Sequence, residues 1–331
     1  MNLLRIENLS ISSRNNQGEK LSIIDNLSIQ MNSGEILGLV GESGSGKSIL
    51  ALAIMGLVSQ HIEVKADYFS LDGQDLMKLS HSQRSKYISS KASMIFQEPR
   101  TNLNPCYSIE RHLDEVINIH QNLSHHKRKE LSLELLLSVG VNDPEIILKR
   151  YPHQLSNGMC QRVAIAVALA CKPKLLIADE PTTDLDVTIQ SQILDLLIKL
   201  NMTEQLGLIL ITHDFALLSE STDKIGVIYS GKLMEHAESK SILKKPRHPY
   251  TQALIGSIPQ LGKRHQSGSR LVTLDGHIPS NEQLPVGCRL GPRCPVATRQ
   301  CVKPPELHLI ADHGYVRCHR ADESADITKG I

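Results

Sequence analysis

Apolar and polar positions change period several times along this chain. Leu4-Arg5-Ile6, Leu9-Ser10-Ile11, Leu21-Ser22-Ile23-Ile24 and Leu27-Ser28-Ile29 alternate well enough to predict four short strands. Arg14-Asn15-Asn16-Gln17-Gly18 reads as the turn between the pairs, and Asp72-Gly73 as a second turn. Ile36-Leu37-Gly38-Leu39-Val40 is a continuous apolar run, as expected of a strand buried on both faces. Further strands are read at 92–96, interrupted by Ser93 and ending at Gln97, and in shorter runs at 175–178, 208–211 and 225–228. Helical patterns fall between them, at 49–55, across 107–140, at 162–171 and from Val187 to Asn201. In the last, Ile189, Ile193, Leu196, Leu197 and Leu200 share one face. Strands alternating with helices predict an α/β fold with a mostly parallel sheet covered on both sides. From about residue 240 the composition shifts to Pro, Lys, His and Cys, which places a domain boundary there.

Between the strand at 36–40 and the helix at 49–55 lies Gly41-Glu42-Ser43-Gly44-Ser45-Gly46-Lys47-Ser48. It fits G-x-x-x-x-G-K-[ST], the P-loop pattern, in the strand-loop-helix context that the pattern requires. Its glycines let backbone N–H groups curl around a phosphate, and the helix N-terminus adds its dipole. Lys47 is placed to reach the outer phosphates of ATP, and Ser48 to ligate Mg²⁺. Leu175-Leu176-Ile177-Ala178-Asp179 has the form of a Walker B strand, four apolar residues and then an acid that can hold Mg²⁺. Glu180, the next residue, can polarise an attacking water.

Composition narrows the partners. The 331 residues carry a net charge of +1, and aromatics make up only 3% with no Trp. A nucleic-acid surface, basic and supplied with stacking rings, is poorly served by such a chain. No run of about 18 apolar residues occurs, and the N-terminus lacks a signal-peptide core, so membrane association is expected through a partner. The seven cysteines are accordingly not read as disulfides.

Three further pieces complete a pattern. Gln97 ends a predicted strand, Leu155-Ser156-Asn157-Gly158-Met159 precedes a helix, and His213 follows the strand at 208–212. With the P-loop, the Walker B strand and Thr183-Asp184-Leu185-Asp186, in this order, residues 1–235 resemble the ATP-binding subunits of ABC transporters. The resemblance implies a cassette with a RecA-like core, an N-terminal antiparallel β subdomain and a helical subdomain at about 100–160. A small Cys-containing domain over 241–331 would follow the cassette of 1–240. It also implies roles. Gly41 to Ser48 would bind ATP; Ser48, Gln97 and Asp179 would hold Mg²⁺; Glu180, His213 and Gln97 would serve catalysis. Ser156, Asn157, Gly158 and Asp186 would act across a head-to-tail dimer, on nucleotide bound by a second subunit. The usual signature is Leu-Ser-Gly-Gly-Gln, so Asn157 and Met159 depart from it and place any weakness on the partner's nucleotide. Many relatives stack adenine on an aromatic ahead of the P-loop; the first aromatic here, Tyr68, comes after it.

Arg247-His248-Pro249-Tyr250-Thr251-Gln252-Ala253-Leu254 and Ser257-Ile258-Pro259 resemble dipeptide and oligopeptide importer ATPases. The stretch from Glu282 to Pro295 resembles in particular the Sap-type peptide-uptake ATPases, linked to antimicrobial-peptide resistance. The partners this implies are a second, SapF-like ATPase, two membrane permeases and a periplasmic peptide-binding protein. The site of action would be the cytoplasmic face of the bacterial inner membrane. A soluble ABC ATPase of DNA repair or translation is the competing class, but such chains carry paired cassettes, coiled coils or a basic surface.

Cys288, Cys294, Cys301 and Cys318 fall within 31 residues, spaced C-x5-C-x6-C-x16-C. The spacing is loose for zinc, and four thiols on proline-rich loops also suit an iron–sulfur cluster or no metal at all. The family resemblance favours a [4Fe-4S] cluster. Cys106, Cys160 and Cys171 read as packing residues.

Overall fold

The computed structural model describes residues 2–15, 17–219, 221–258 and 274–321, so Pro259 of the importer-like stretch lies outside them. Two sheets share the core. The first has five strands and begins with a long antiparallel hairpin, Asn2–Arg14 against Lys20–Asn32. Four short strands were expected in place of these two. The register shifts at four places, two of them between Ile6 and Ile11, and Asn8 and Asn26 take positive φ of 52° and 51°. Such bulges re-phase the alternation without ending the strand, so polar interruptions looked like strand ends. Tyr68–Leu71, Gln74–Asp75 and Glu63–Lys65 complete this sheet. Asp72 and Gly73, both at positive φ, form the expected tight turn.

The second sheet has eight strands. Its centre is parallel: Lys224–Tyr229, Ile36–Val40, Gly207–Thr212, Leu175–Asp179 and Ala92–Ile95, in that spatial order. The edge strand Ala92–Ile95 stops at Ile95, so Phe96 and Gln97 lie beyond it rather than at its end. Both faces are covered. Ile36, Val40, Leu176, Ala178, Leu208 and Leu210 face the helical side. Leu37, Leu39, Leu175, Ile177, Ile209 and Ile211 face the first sheet. Each of the Leu, Ile and Val side chains among them stabilises the fold by roughly 1.5–3 kcal/mol when fully buried. Antiparallel Lys232–Glu238, Gly314–Val316 and His308–Ile310 extend the sheet beyond Lys224–Tyr229.

The helices Ile109–His120, His125–Ser138 and Asn157–Leu169 pack on one another on the helical side. The last starts five residues earlier than its apolar stretch, because Ser156 caps it and accepts from Met159 N–H. Its expected end, Cys171, lies past the last helical residue, just ahead of Lys172 at positive φ. The helix Val187–Glu204 runs past its expected end at Asn201. Asn201 is a buried polar residue whose side chain donates to the Gly34 and Leu206 carbonyls, so it fastens the helix rather than ending it. The short helix Ser239–Lys244 is followed by the helix Pro249–Gly256 and by the two short strands already placed in the main sheet.

Candidate functional site

The site gathers at the carboxyl ends of the parallel strands, where open α/β sheets hold their ligands. The loop after Ile36–Val40 turns at Gly41 against the strand Lys224–Tyr229. A Cβ there would run into the Ile228 carbonyl and the Ser45 hydroxyl. Gly46, at φ 105°, feeds the chain into the helix Lys47–Met55. Lys47 is buried, and its ammonium donates to Gly41 O at 2.7 Å, Glu42 O at 3.0 Å and Ser45 Oγ at 3.3 Å. Burial lowers its pKa, while Glu180, Asp179 and Glu42 push it back up. Ser48 is exposed on the first helical turn, as are Ser43 and Gly44 in the loop.

Asp179 ends the strand Leu175–Asp179 and is only 5% exposed. Its Oδ1 has no hydrogen-bond partner, an arrangement that costs free energy unless a cation or donor fills it. Burial raises its pKa; the Ser48 hydroxyl lowers it, Glu180 raises it and Lys47 lowers it. This orphaned carboxylate oxygen beside Ser48 and Lys47 fits a Mg²⁺ bound with nucleotide.

Glu180 follows at φ 47°, a left-handed conformation uncommon for a side chain of its size. Its N–H donates to Ile211 O, and the kink turns its carboxylate toward neighbouring strand ends. Gln97 Nε2 donates to Glu180 Oε2 at 2.9 Å, and Thr183 Oγ1 to the same oxygen at 3.0 Å. His213 Nδ1 lies 3.3 Å from Oε1. Gln97, Glu180 and His213 thus meet from three different strand ends, as the spacing along the chain could not show.

Ser156 and Asn157 are exposed at the start of their helix, an N-terminus open to an anion. Gly158 is pressed toward Ile189, and Met159 packs partly buried against the core. Asp186 caps the helix Val187–Glu204, accepting from Ile189 N–H at 3.1 Å. Tyr68 sits under the Arg5 guanidinium, 5.3 Å from ring centroid to carbon.

Three residues lay within the motifs read from the sequence but had no role at the nucleotide site assigned there. Thr183 shares the Glu180 carboxylate, as described. Glu42 N–H donates to Tyr250 Oη at 2.8 Å, and Arg293 Nη1 donates to both Glu42 carboxylate oxygens at 3.1 Å. The local motifs containing Tyr250 and Arg293 do not show these contacts, since each residue lies over 200 residues from the loop it touches.

Cys288, Cys294, Cys301 and Cys318 line one cavity of about 20 Å³, walled by Pro249, Leu290, Val296 and Pro305. Cys288 N–H donates to Cys301 O. Burial, helped by the other three thiols and opposed by a backbone hydrogen bond at Val296, pushes the Cys294 thiol up to about 11. Burial also raises Cys288 and Cys318. Among the described residues, no group of three or more His, Cys, Asp or Glu is arranged to hold a metal ion. Cys160 is buried as expected, but Cys106 is exposed on a loop, so packing does not explain it.

Residues 24–183 match the family model described as ABC transporter, and residues 234–301 the model described as oligopeptide/dipeptide transporter, C-terminal region. The chain is 45% identical over 320 residues to the dipeptide transport ATP-binding protein DppD of Escherichia coli K12, covering 96% of this chain and 97% of that protein. It is 45% identical to the peptide transport system ATP-binding protein SapD of Salmonella typhimurium, covering 96% and 98%. The oligopeptide transport ATP-binding protein AppD of Bacillus subtilis is 42% identical, with 92% and 93% covered. Among solved structures, the dimeric ATP-binding cassette MJ0796 in a post-hydrolysis state with ADP and Pi superposes with a TM-score of 0.63 at 26% identity. It covers 72% of this chain and 99% of its own. With nucleotide-site geometry, both family models and near full-length relatives in agreement, the chain belongs to the ABC transporter ATP-binding subunits of the oligopeptide/dipeptide transporter family.

Proposed function

We propose that this chain hydrolyses ATP to drive peptide import through membrane permeases. The observation that carries this reading is the meeting of Gln97, Glu180 and His213 beside an orphaned Asp179 oxygen and the buried Lys47 ammonium. Mg²⁺, held by Ser48, Asp179 and Gln97, would neutralise phosphate charge. Gly41 to Ser48 cradle the phosphates. Glu180 takes up the proton of the attacking water, while Gln97, Thr183 and His213 fix its carboxylate. Ser156, Asn157 and Gly158, with Asp186 capping the neighbouring helix, present an anion-binding helix start to the nucleotide of a second subunit. Residues 1–240 form the cassette and 241–331 the accessory module.

No described helix is long and apolar enough to cross a membrane. The partners proposed are therefore two permeases that anchor the chain at the cytoplasmic face of the inner membrane, a second, SapF-like ATPase and a periplasmic peptide-binding protein. A Sap-type system with a role in antimicrobial-peptide resistance is supported by the stretch 282–295. Equal identity to DppD supports a dipeptide system as well. Co-purification from solubilised membranes separates these outcomes: permeases and a second ATPase should accompany the chain, and their binding protein should name the peptide. Recovery of the chain alone, or with DNA, would overturn the transport reading.

For the four cysteines we propose a thiolate-bound [4Fe-4S] centre that holds the C-terminal module together. Support comes from four cysteines lining one small cavity, whose thiols would have to draw together from their present arrangement to hold a cluster. Thiols bind metal as thiolates, so metal binding would release protons and couple to folding of the module. Anaerobically purified protein is expected to be brown, with about four irons per chain. Cys294→Ser should leave residues 285–320 open to proteolysis while nucleotide still binds. Elemental analysis finding neither iron nor zinc would leave unligated thiols.

A further inference from the structure

The P-loop is not held by its own strand and helix alone. Arg293 approaches from the C-terminal module, and its side chain is 9% exposed. Its Nη1 donates to Glu42 Oε1 and Oε2, both at 3.1 Å, and to Tyr229 Oη at 3.3 Å. From its other side, Nε donates to Asp275 O at 2.9 Å and Nη2 to Leu274 O at 3.3 Å. The guanidinium is therefore fixed between the accessory segment and the phosphate loop. Tyr250 adds a second hold. Fully buried, it accepts from Glu42 N–H, and its ring meets Tyr229 edge-on with centroids 4.8 Å apart.

The charge arrangement gives these contacts a consequence for nucleotide. Glu42 and Lys47 share one tight loop, and the Lys47 ammonium donates to the Glu42 carbonyl at 3.0 Å. An unpaired Glu42 carboxylate would compete with phosphate for Lys47 and repel the incoming polyanion. Pairing with Arg293 removes both effects, while the Glu42 amide is held separately by Tyr250. We propose that Arg293 is a positioning residue for MgATP, acting through Glu42. The inference rests on the ATPase reading but needs only nucleotide binding, so it can fail while that reading stands.

The test uses the full chain and MgATP. Titration with a fluorescent ATP analogue gives Kd, and the assembled complex gives KM and kcat. Arg293→Ala should raise Kd and KM about tenfold, with kcat changed less than about twofold. Arg293→Lys should recover much of the loss. The double variant Glu42→Gln with Arg293→Ala should return Kd to within about threefold of the parent, because the uncompensated charge is gone. Arg293→Gln keeps a donor and most of the side-chain volume, and serves where alanine destabilises the chain; the same rise in Kd is expected. An unchanged Kd in both Arg293 variants, a loss in kcat alone, or a double variant as weak as the single would overturn the proposal.

Discussion

Replacing Glu180 by Gln should lower ATP turnover of the assembled transporter by about 100-fold or more, with ATP retained. The substitution is nearly isosteric and can keep its contacts with Gln97 and Thr183, which reach one oxygen at 2.9 and 3.0 Å. What it removes is the site that accepts a proton from water. ATP should then persist in a closed dimer, detectable as nucleotide co-eluting with a dimer on gel filtration. Turnover near that of the parent would show that another group does the proton work and that the Glu180 cluster is only structural.

Lys47→Ala should weaken MgATP binding by about 100-fold, the scale of losing a charge-assisted contact to phosphate from a buried site. The ammonium is held by two loop carbonyls and the Ser45 hydroxyl. Its removal therefore also leaves the loop's own acceptors unpaired. Arginine should not restore binding, because a planar guanidinium does not fit where a compact ammonium sits among these carbonyls. Equilibrium titration measures the loss; an affinity within about threefold of the parent would exclude Lys47 from the phosphate site.

Much of the cassette was legible because its signals are local. The loop Gly41–Ser48 needs only a strand before it and a helix after it, and both are written in neighbouring residues. Gly38 aside, the strand Ile36–Val40 is apolar throughout because sheet and helices cover its two faces. The long N-terminal hairpin was less legible. Its bulges at Asn8 and Asn26 are set by cross-strand register, which a one-dimensional pattern does not carry. Glu180 could be singled out, but its left-handed backbone and its grip on Gln97 and His213 arise only when three strand ends are side by side. Arg293 was hidden for the opposite reason. It sits next to Cys294, whose chemistry drew the eye, while its partner lies 251 residues earlier.

That separation bears on biosynthesis. A ribosome adding about 5–20 residues per second needs roughly 10–50 s to travel the 251 residues from Glu42 to Arg293. Throughout that interval the growing chain holds a complete P-loop sequence without the arginine that neutralises Glu42, and for most of it without Tyr250. Arg289, in the same late segment, closes onto Asp25 of the first hairpin at 2.9 Å, 264 residues apart. The nascent chain thus meets cellular ATP with its nucleotide loop still unbraced. A segment made long after them ties the first hairpin and the phosphate loop into one body.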